Sequence, residues 1–256
     1  MEKFPARPGP MADIHCHLLY GADDGAKTSE MMCQMVRQAY LCGVRLFCMT
    51  PHYSPGRFVL KREQEEKSFL LLKEYLRKNR MNLQLCWGNE LYYHQDAPKA
   101  LDGQLCRTLN NTGYVLTEFH PSESWRALWT GVLNLMNAGY VPVIAHVERY
   151  ACFADDLKKI SRLRQAGCLI QTNADAVLGK KGLKTKLFLR HLLKSGSIDV
   201  VASDMHVPCG TLFADCYHYV AAKYGQKSAQ KLFWDNPRIL LGLVNKERED
   251  ESGKNG

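Results

Sequence analysis

The chain has 256 residues and a formal net charge of +8 at pH 7. This length is typical of one compact α/β domain, and no linker rich in Pro, Ser or Gly divides the sequence. We expect a domain over residues 1–245 and a charged, disordered tail over residues 246–256. No long uncharged apolar segment and no signal-like amino terminus is evident, so we expect a cytoplasmic protein without direct membrane insertion.

The elements predicted along the chain alternate between short apolar runs and longer amphipathic stretches. About seven runs read as strands, the first ending near Asp13 and the others at residues 44–49, 83–87, 114–117, 141–145, 168–172 and 198–202. Helical periodicity predicts helices between them, at residues 28–42, 61–80, 123–138, 154–166, 184–194 and 212–224. This alternation indicates βα units with parallel strands, and therefore an α/β fold. A regular barrel of this kind has eight strands, so we predict a single-domain, distorted and seven-stranded barrel.

Ligand-type side chains follow most of the predicted strands. His15 and His17 are two residues apart, which places both imidazoles on one face of an extended segment. The carboxyl ends of parallel strands meet at one rim of a barrel. We therefore expect a metal site at that rim, built from nine residues: His15, His17, Asp24, His52, Glu90, Glu118, His146, Asp204 and His206.

The ten cysteines and the excess of basic residues have simpler explanations. The cysteines form no CxxC pair and no dense framework, so we interpret them as small buried residues rather than as disulfides or ligands. The lysines and arginines lie on several predicted helices, as at Lys158-Lys159 and Lys180-Lys181, without a nucleic-acid motif. We therefore interpret them as solvated helix faces and expect no nucleic-acid partner.

The ordered motifs resemble a known family. The segments DIHCH, DDG, TPH, GNELYY, AHVERY and SDMH, with Glu118 at a strand end, are similar to the PHP superfamily over residues 13–237. Within it they resemble the bacterial tyrosine phosphatases of capsule and exopolysaccharide loci, of the CpsB or YwqE type. The resemblance implies a seven-stranded PHP barrel, two or three divalent ions, usually manganese, and hydrolysis of phosphotyrosine on a partner tyrosine autokinase.

The resemblance also implies which residues bind each metal ion. It implies a first metal held by His15, His17, Glu90 and Asp204, a second held by Glu90, Glu118 and His146, and a third held by Asp24, His52 and His206. Nitrogen and oxygen ligands without thiolate suit manganese, iron or zinc. Clustered divalent ions lower the pKa of water and stabilise an in-line displacement at phosphorus, so the chemistry requires no cysteine nucleophile.

One position departs from the family pattern. The relatives carry an arginine after a glycine in the loop that follows the Asp-x-His motif, whereas this chain has Thr211 after Gly210. We expect Arg149 to bind the phosphoryl group, because a guanidinium can contact two of its oxygens. Arg57 is the candidate for the missing second charge, and its alternative is an ordinary exposed arginine.

The sequence alone leaves other functions and other residue roles open. A PHP phosphoesterase for a small metabolite such as histidinol phosphate would share nearly all the ligands. A noncatalytic scaffold of the polysaccharide machinery would be marked by loss of metal ligands, which this sequence does not show. Asp23 is expected to shape the Asp-Asp-Gly turn. Tyr92 and Tyr93 could line a pocket for an aryl phosphate or pack at a loop, and His120 could contact phosphate or support a ligand residue.

Overall fold

The strands of the protein are short and all parallel. The computed structural model describes residues 9–58, 62–154 and 156–244, so the predicted tail at residues 246–256 lies outside the described residues. Within them it has nine strands: β1 Met11–Asp13, β2 Val44–Met49, β3 His52–Tyr53, β4 Gln84–Trp87, β5 Glu90–Tyr92, β6 Tyr114–Glu118, β7 Val141–Ile144, β8 Leu169–Asn173 and β9 Val200–Ala202. The predicted α/β class with parallel pairing is confirmed.

The described residues have two strands more than the predicted seven, because after a short break the chain pairs again in β3 and β5, beyond the predicted runs at residues 44–49 and 83–87. The first break, at Thr50-Pro51, separates β2 from β3, and proline has no N–H for a sheet ladder. The second, at Gly88-Asn89, separates β4 from β5. The strands therefore form two sheets in the orders β1-β2-β4 and β3-β5-β6-β7-β8-β9.

The backbone joins the two sheets where the strands end. Cys16 forms an isolated parallel bridge with Met205, which links the chain after β1 to the chain after β9. The amide of Asp204 donates to the carbonyl of His15 at 2.8 Å, and the amide of His17 donates to the carbonyl of Met205 at 3.0 Å. The sheet therefore curls so that its first and last strands meet beside the predicted ligands.

Helices cover the outside of this curled sheet. They are α1 Ser29–Leu41, α2 Arg62–Lys78, α3 Ala97–Asp102, α4 Trp125–Asn137, α5 Lys158–Gln165, α6 Ala174–Val177, α7 Leu183–Lys194, α8 Leu212–Tyr224, α9 Gln226–Gln230 and α10 Asn236–Leu240. The six predicted helices are present with ends shifted by a few residues, and the four short ones were not predicted. Among the described residues, no helix is both long enough and apolar enough to cross a bilayer.

Three apolar clusters hold the helices and strands together. One fills the space between the sheet and the helices, and includes the fully buried Phe47, Phe153 and Phe233. A second contains Leu116, which lies two residues before Glu118 in β6. Because side chains two apart in a strand share a face, an apolar side chain lies directly beneath Glu118 at the rim.

Candidate metal centre

The nine predicted ligands come together at the carboxyl ends of the strands. Ligand atoms lie within 4.8 Å of one another in three overlapping groups: His15, His17, Glu90 and Asp204; His17, Asp24, His52 and His206; and His52, Glu90 and Glu118. His146 joins them, with Nε2 2.9 Å from Glu90 Oε1 and 3.2 Å from Glu118 Oε1. The first group has the same members as the first metal set implied by the resemblance, and the other two mix members of the implied sets.

Several atoms in this cluster are buried and lack a hydrogen-bond partner among the described residues. They are His15 Nε2, His17 Nε2, Asp24 Oδ1 and Glu90 Oε2. A buried polar atom without a partner is costly, and here the atoms converge on shared positions rather than being scattered. Divalent cations coordinated by these nitrogens and oxygens would satisfy them, so the donor set fits a cation cluster.

Two of the ligand-type residues adopt a left-handed backbone. His146 has φ 35° and Asp204 has φ 52°, a region that residues other than glycine rarely occupy. Both lie two residues after the end of a strand, β7 and β9 respectively, where a left-handed residue redirects the chain and its side chain. Such conformations cluster at functional sites because they cost energy and require support from the surrounding structure.

Hydrogen bonds fix the orientation of the histidines. His15 Nδ1 lies 3.2 Å from Gln171 Oε1, His17 Nδ1 lies 2.7 Å from Asp23 Oδ2, and His206 Nδ1 lies 3.0 Å from the Asp204 carbonyl. When Nδ1 of an imidazole donates to such an oxygen, Nε2 keeps its lone pair for a metal. The same arrangement therefore aims all three Nε2 atoms into the cluster.

Asp23 does more than shape a turn, which is the role expected from the sequence. Its Oδ1 accepts from the Gly25 amide at 2.9 Å, and its Oδ2 accepts from the His52 amide at 2.9 Å as well as contacting His17. The side chain is completely buried. Asp23 thus ties the Asp-Asp-Gly loop to two histidines of the cluster.

β8 contributes the side-chain amides of Gln171 and Asn173, whereas the neighbouring strands contribute candidate metal ligands. Gln171 Oε1 accepts from the His146 amide at 2.7 Å, and Gln171 Nε2 donates to Asn173 Oδ1 at 2.9 Å. Asn173 Nδ2 in turn donates to Asp204 Oδ2 at 2.7 Å. Sequence reasoning did not assign these residues, and the available signal was a strand that ends in polar amides instead of His, Asp or Glu.

Glu148 supports the same strand from behind. It accepts from the Thr172 hydroxyl at 2.7 Å and from the Asn173 amide at 3.2 Å. Burial raises the pKa of this carboxyl, against which the charge of His146 and these hydrogen bonds act. Glu148 therefore holds β8 in place, and it is not among the grouped ligand atoms.

Electrostatics favour charged carboxylates in the cluster. Burial alone would raise the pKa of Glu90, but the charge of His15, the hydrogen bond with His146 and the close approach of the His15 and His17 imidazoles hold that pKa well below its ordinary value. Burial likewise lowers the pKa of His146, whereas hydrogen bonds to Glu118 and Glu90 raise it to about 9. The Glu90 carboxylate is therefore ionised beside a protonated His146 imidazole, and a bound cation would displace that proton.

Arg149 lies at the edge of the cluster. Its Nη2 donates to Asp204 Oδ2 at 2.5 Å, and its Nη1 lies 3.6 Å from Glu118 Oε1. The Asn173 amide binds the same Asp204 oxygen, so Oδ1 remains free to face His15 Nε2 at 3.3 Å and His17 Nε2 at 3.4 Å. The Arg149 side chain is 40% exposed, so a ligand above the cluster can reach it.

The other candidates for anion contact are placed less directly. Arg57 is exposed, with its guanidinium 5.1 Å from the Phe58 ring, and that ring stacks on His52 at 5.0 Å. The Thr211 hydroxyl donates to Asp215 Oδ2 at 2.7 Å. His120 is exposed and lies 2.8 Å from the Ser122 hydroxyl.

Two further sequence expectations concern aromatic and thiol groups. Tyr93 packs on Phe119 with ring centroids 5.0 Å apart, whereas Tyr92 is half-buried at the end of β5. None of the ten cysteines, all of which lie within the described residues, forms a disulfide. Burial raises the pKa of the Cys209 thiol to about 12 and that of the Cys16 thiol well above its ordinary value. A thiol with such a pKa is protonated at neutral pH and is a poor nucleophile.

Comparison with known proteins gives relatives along nearly the whole chain. The tyrosine-protein phosphatase CpsB of Streptococcus pneumoniae is 35% identical over 238 residues, which are 90% of this chain and 98% of the relative. The tyrosine-protein phosphatase YwqE of Bacillus subtilis is 31% identical over 232 residues, covering 90% of this chain and 91% of the relative.

Solved structures agree with these relatives. Crystal structures of YwqE from Bacillus subtilis and CpsB from Streptococcus pneumoniae are described as those of unique metal-dependent tyrosine phosphatases. The matching chain has a TM-score of 0.80 and 28% identity, and the match covers 92% of this chain and 96% of that one. Histidinol phosphate phosphatase from Lactococcus lactis, with a TM-score of 0.57 and 16% identity, shares the fold over 86% of this chain and 94% of that one.

A family model described as capsular polysaccharide synthesis, CpsB/CapC, matches residues 11–242. The match begins at the start of β1 and ends after α10, so it includes every strand and every candidate ligand. The family suggested by the sequence motifs is therefore confirmed. The chain belongs to the CpsB/CapC family of capsular polysaccharide synthesis proteins.

Proposed function

We propose that this protein is a metal-dependent phosphatase that hydrolyses phosphotyrosine in a protein substrate. The observation that carries the proposal is the convergence of unpartnered buried atoms from His15, His17, Asp24 and Glu90 beside the accessible guanidinium of Arg149. The names of the family relatives support the same reaction. A cation cluster next to a guanidinium suits a substrate that carries a phosphoryl dianion.

The cluster would hold two or three divalent ions. We assign His15, His17, Glu90 and Asp204 to the first, Glu90, Glu118 and His146 to the second, and Asp24, His52 and His206 to the third. Manganese is the metal we propose, with iron and zinc compatible with the same donors. When bound, such ions lower the pKa of water, hold phosphoryl oxygens and stabilise the leaving oxygen of an in-line displacement.

The side chains around the ions would orient the substrate. Arg149 would bind two phosphoryl oxygens and stabilise the charge that grows on them in the transition state. Arg57 would bring a second positive charge from the loop after β3, since the Thr211 hydroxyl is already engaged with Asp215. The high pKa of the buried thiols supports a reaction without a cysteine nucleophile.

The biological setting is a further part of the proposal. The family is defined by capsular polysaccharide synthesis, so we propose a cytoplasmic role in regulating capsule or exopolysaccharide production. The substrate would be a phosphotyrosine-containing protein, with a bacterial tyrosine autokinase as the expected partner. Residues 1–245 would form the catalytic domain.

Metal analysis coupled to a phosphatase assay tests the reaction. Purified protein should contain divalent metal, lose hydrolysis of a phosphotyrosyl peptide with chelator, and regain it with manganese. His15→Ala, Glu90→Ala and Asp204→Ala should each reduce turnover at least ~100-fold, whereas Glu63→Ala, an exposed site on α2, should not. Faster turnover of histidinol phosphate than of the peptide would favour a metabolite phosphatase, and metal binding without either activity would favour a scaffold.

A second set of variants tests the anion contacts. Arg149→Ala should reduce turnover by ~10²- to 10³-fold, because it removes a transition-state donor. Arg149→Lys should restore little, since a point charge does not reproduce a planar fork. Arg57→Ala should have an intermediate effect and Thr211→Ala a mild one. Unchanged kinetics in Arg57→Ala would reject the compensating role of Arg57 and leave the metal assignment intact.

A further inference from the structure

A cavity adjoins the metal centre on the side of Arg149. Its volume is about 390 Å³, and its lining includes Glu148, Arg149, Tyr150, Leu157, Lys184 and Phe188. Arg149 thus contacts the metal ligands Asp204 and Glu118 and also forms part of the cavity wall. A group in this cavity would lie beside a substrate whose phosphoryl group rests on Arg149.

Exposed apolar side chains continue from the cavity onto the surface of α7. Leu183 is 70% exposed and Leu187 is 51% exposed, and residues four apart in a helix lie on one face. Each precedes a cavity residue by one position, namely Lys184 and Phe188. The outer face of α7 is therefore apolar directly beside the opening, and we call Leu183, Lys184, Leu187 and Phe188 the α7 surface.

The chain concentrates its positive charge in the segment that builds this region. Residues 148–191, which include the cavity residue Glu148, contain ten Lys or Arg and four Asp or Glu, a surplus of six out of the net charge of +8. Some of these cations are engaged, as Arg164 is with Asp199 and Lys181 with Asp175. Among the described residues, none forms an ion pair or side-chain hydrogen bond with Lys184. The region therefore suits a partner with acidic groups.

We propose that the cavity and the α7 surface bind the polypeptide that flanks the phosphotyrosine of the substrate protein. An apolar side chain of that polypeptide enters the cavity between Leu157 and Phe188, and an acidic residue pairs with Lys184. This inference rests on the proposed function, and it explains the basic surplus as a substrate-binding feature rather than as solvated helix faces. It names the preferred substrate as an acidic phosphotyrosyl segment with an apolar residue.

Three substrates with different flanking groups test this proposal. One phosphotyrosyl peptide carries acidic and apolar flanking residues, a second carries serine and glycine flanks, and p-nitrophenyl phosphate has no flank. Wild-type protein should have the highest kcat/KM on the acidic peptide, and added salt should reduce that advantage. Equal kcat/KM on both peptides would overturn the proposal.

Variants on α7 separate peptide binding from chemistry. Lys184→Glu and Leu187→Asp should each reduce kcat/KM on the acidic peptide roughly tenfold, since like charges oppose each other across an interface. Both should leave turnover of p-nitrophenyl phosphate unchanged. The matched controls are Lys67→Glu on α2 and Leu105→Asp, a leucine that is 53% exposed. Equal losses on both substrates, or equal losses in the controls, would overturn the proposal.

A binding measurement keeps this test separate from the proposed reaction. Fluorescence anisotropy of a labelled acidic peptide with a non-hydrolysable phosphonate should report weaker binding by Lys184→Glu than by wild type or Lys67→Glu. Absence of hydrolysis with this pattern would reject the phosphatase function and retain the binding surface. An unlabelled single-stranded oligonucleotide that displaced the peptide at equal concentration would show a nucleic-acid surface and overturn the proposal.

Discussion

Gly25 is the residue at which the smallest change should disturb the metal centre most. A Cβ added there would lie 2.1 Å from the His17 carbonyl oxygen and 2.5 Å from the His17 Cβ. Ordinary contacts with a Cβ are longer than about 3.0 Å, so backbone or ligand must move by roughly 0.9 Å. Both atoms that would be hit belong to a candidate ligand, and flexible side-chain rearrangement cannot relieve the contact.

We therefore expect Gly25→Ala to lose metal before it loses its fold. Moving His17 by this distance also separates it from Asp23, whose hydrogen bond at 2.7 Å orients the ring. Loss of such support weakens metal binding by ~10- to 100-fold, and a displacement of about 1 Å at a reacting centre costs turnover by ~10²-fold. Turnover of a phosphotyrosyl peptide should therefore fall by two orders of magnitude.

The assay pairs Gly25→Ala with Gly113→Ala as a control. A Cβ at Gly113 would meet nothing within 4 Å. Both proteins are measured for bound metal by mass spectrometry after gel filtration, for peptide hydrolysis, and for thermal unfolding. Full metal content and normal turnover in a folded Gly25→Ala protein would refute the reasoning, as would an equal loss in Gly113→Ala.

Three further predictions concern support, mechanism and stability. Asn173→Leu should weaken metal binding ~10- to 100-fold, because the variant lacks the amide that now holds the Asp204 oxygen in place. Competition with a fluorescent chelator measures the metal affinity, and an unchanged affinity would contradict the prediction. Because the pKa of Cys209 is about 12, its thiol should stay protonated and react slowly with iodoacetamide at pH 8, and Cys209→Ser should keep full turnover. Arg107→Ala should lower the free energy of unfolding in urea by about 2–4 kcal/mol, because the buried Glu65 carboxylate, which lies 2.6 Å from Arg107, would lose its partner. A change in the free energy of unfolding below about 0.5 kcal/mol would reject the prediction.

Local sequence was sufficient to predict the class of fold and the members of the candidate site. The apolar runs that end in His15, Glu118 and Asp204 place ligand-type residues at strand ends, and parallel strands bring such ends to one rim. The positions of α1, α4 and α7 followed from helical periodicity in the same way. These features depend on residue spacing along the chain, which the sequence states directly.

Contacts between segments that are distant in the sequence determined the features of the site that could not be predicted. The left-handed backbone at His146 and Asp204, the buried support from Gln171 and Asn173, and the close approach of Gly25 to His17 all depend on where separate strands lie in space. The sequence by itself determined which residues could bind metal, because that property belongs to the side chain. Only the tertiary structure determined which atom of each side chain faces the cluster, because hydrogen bonds from other strands occupy the opposite atom.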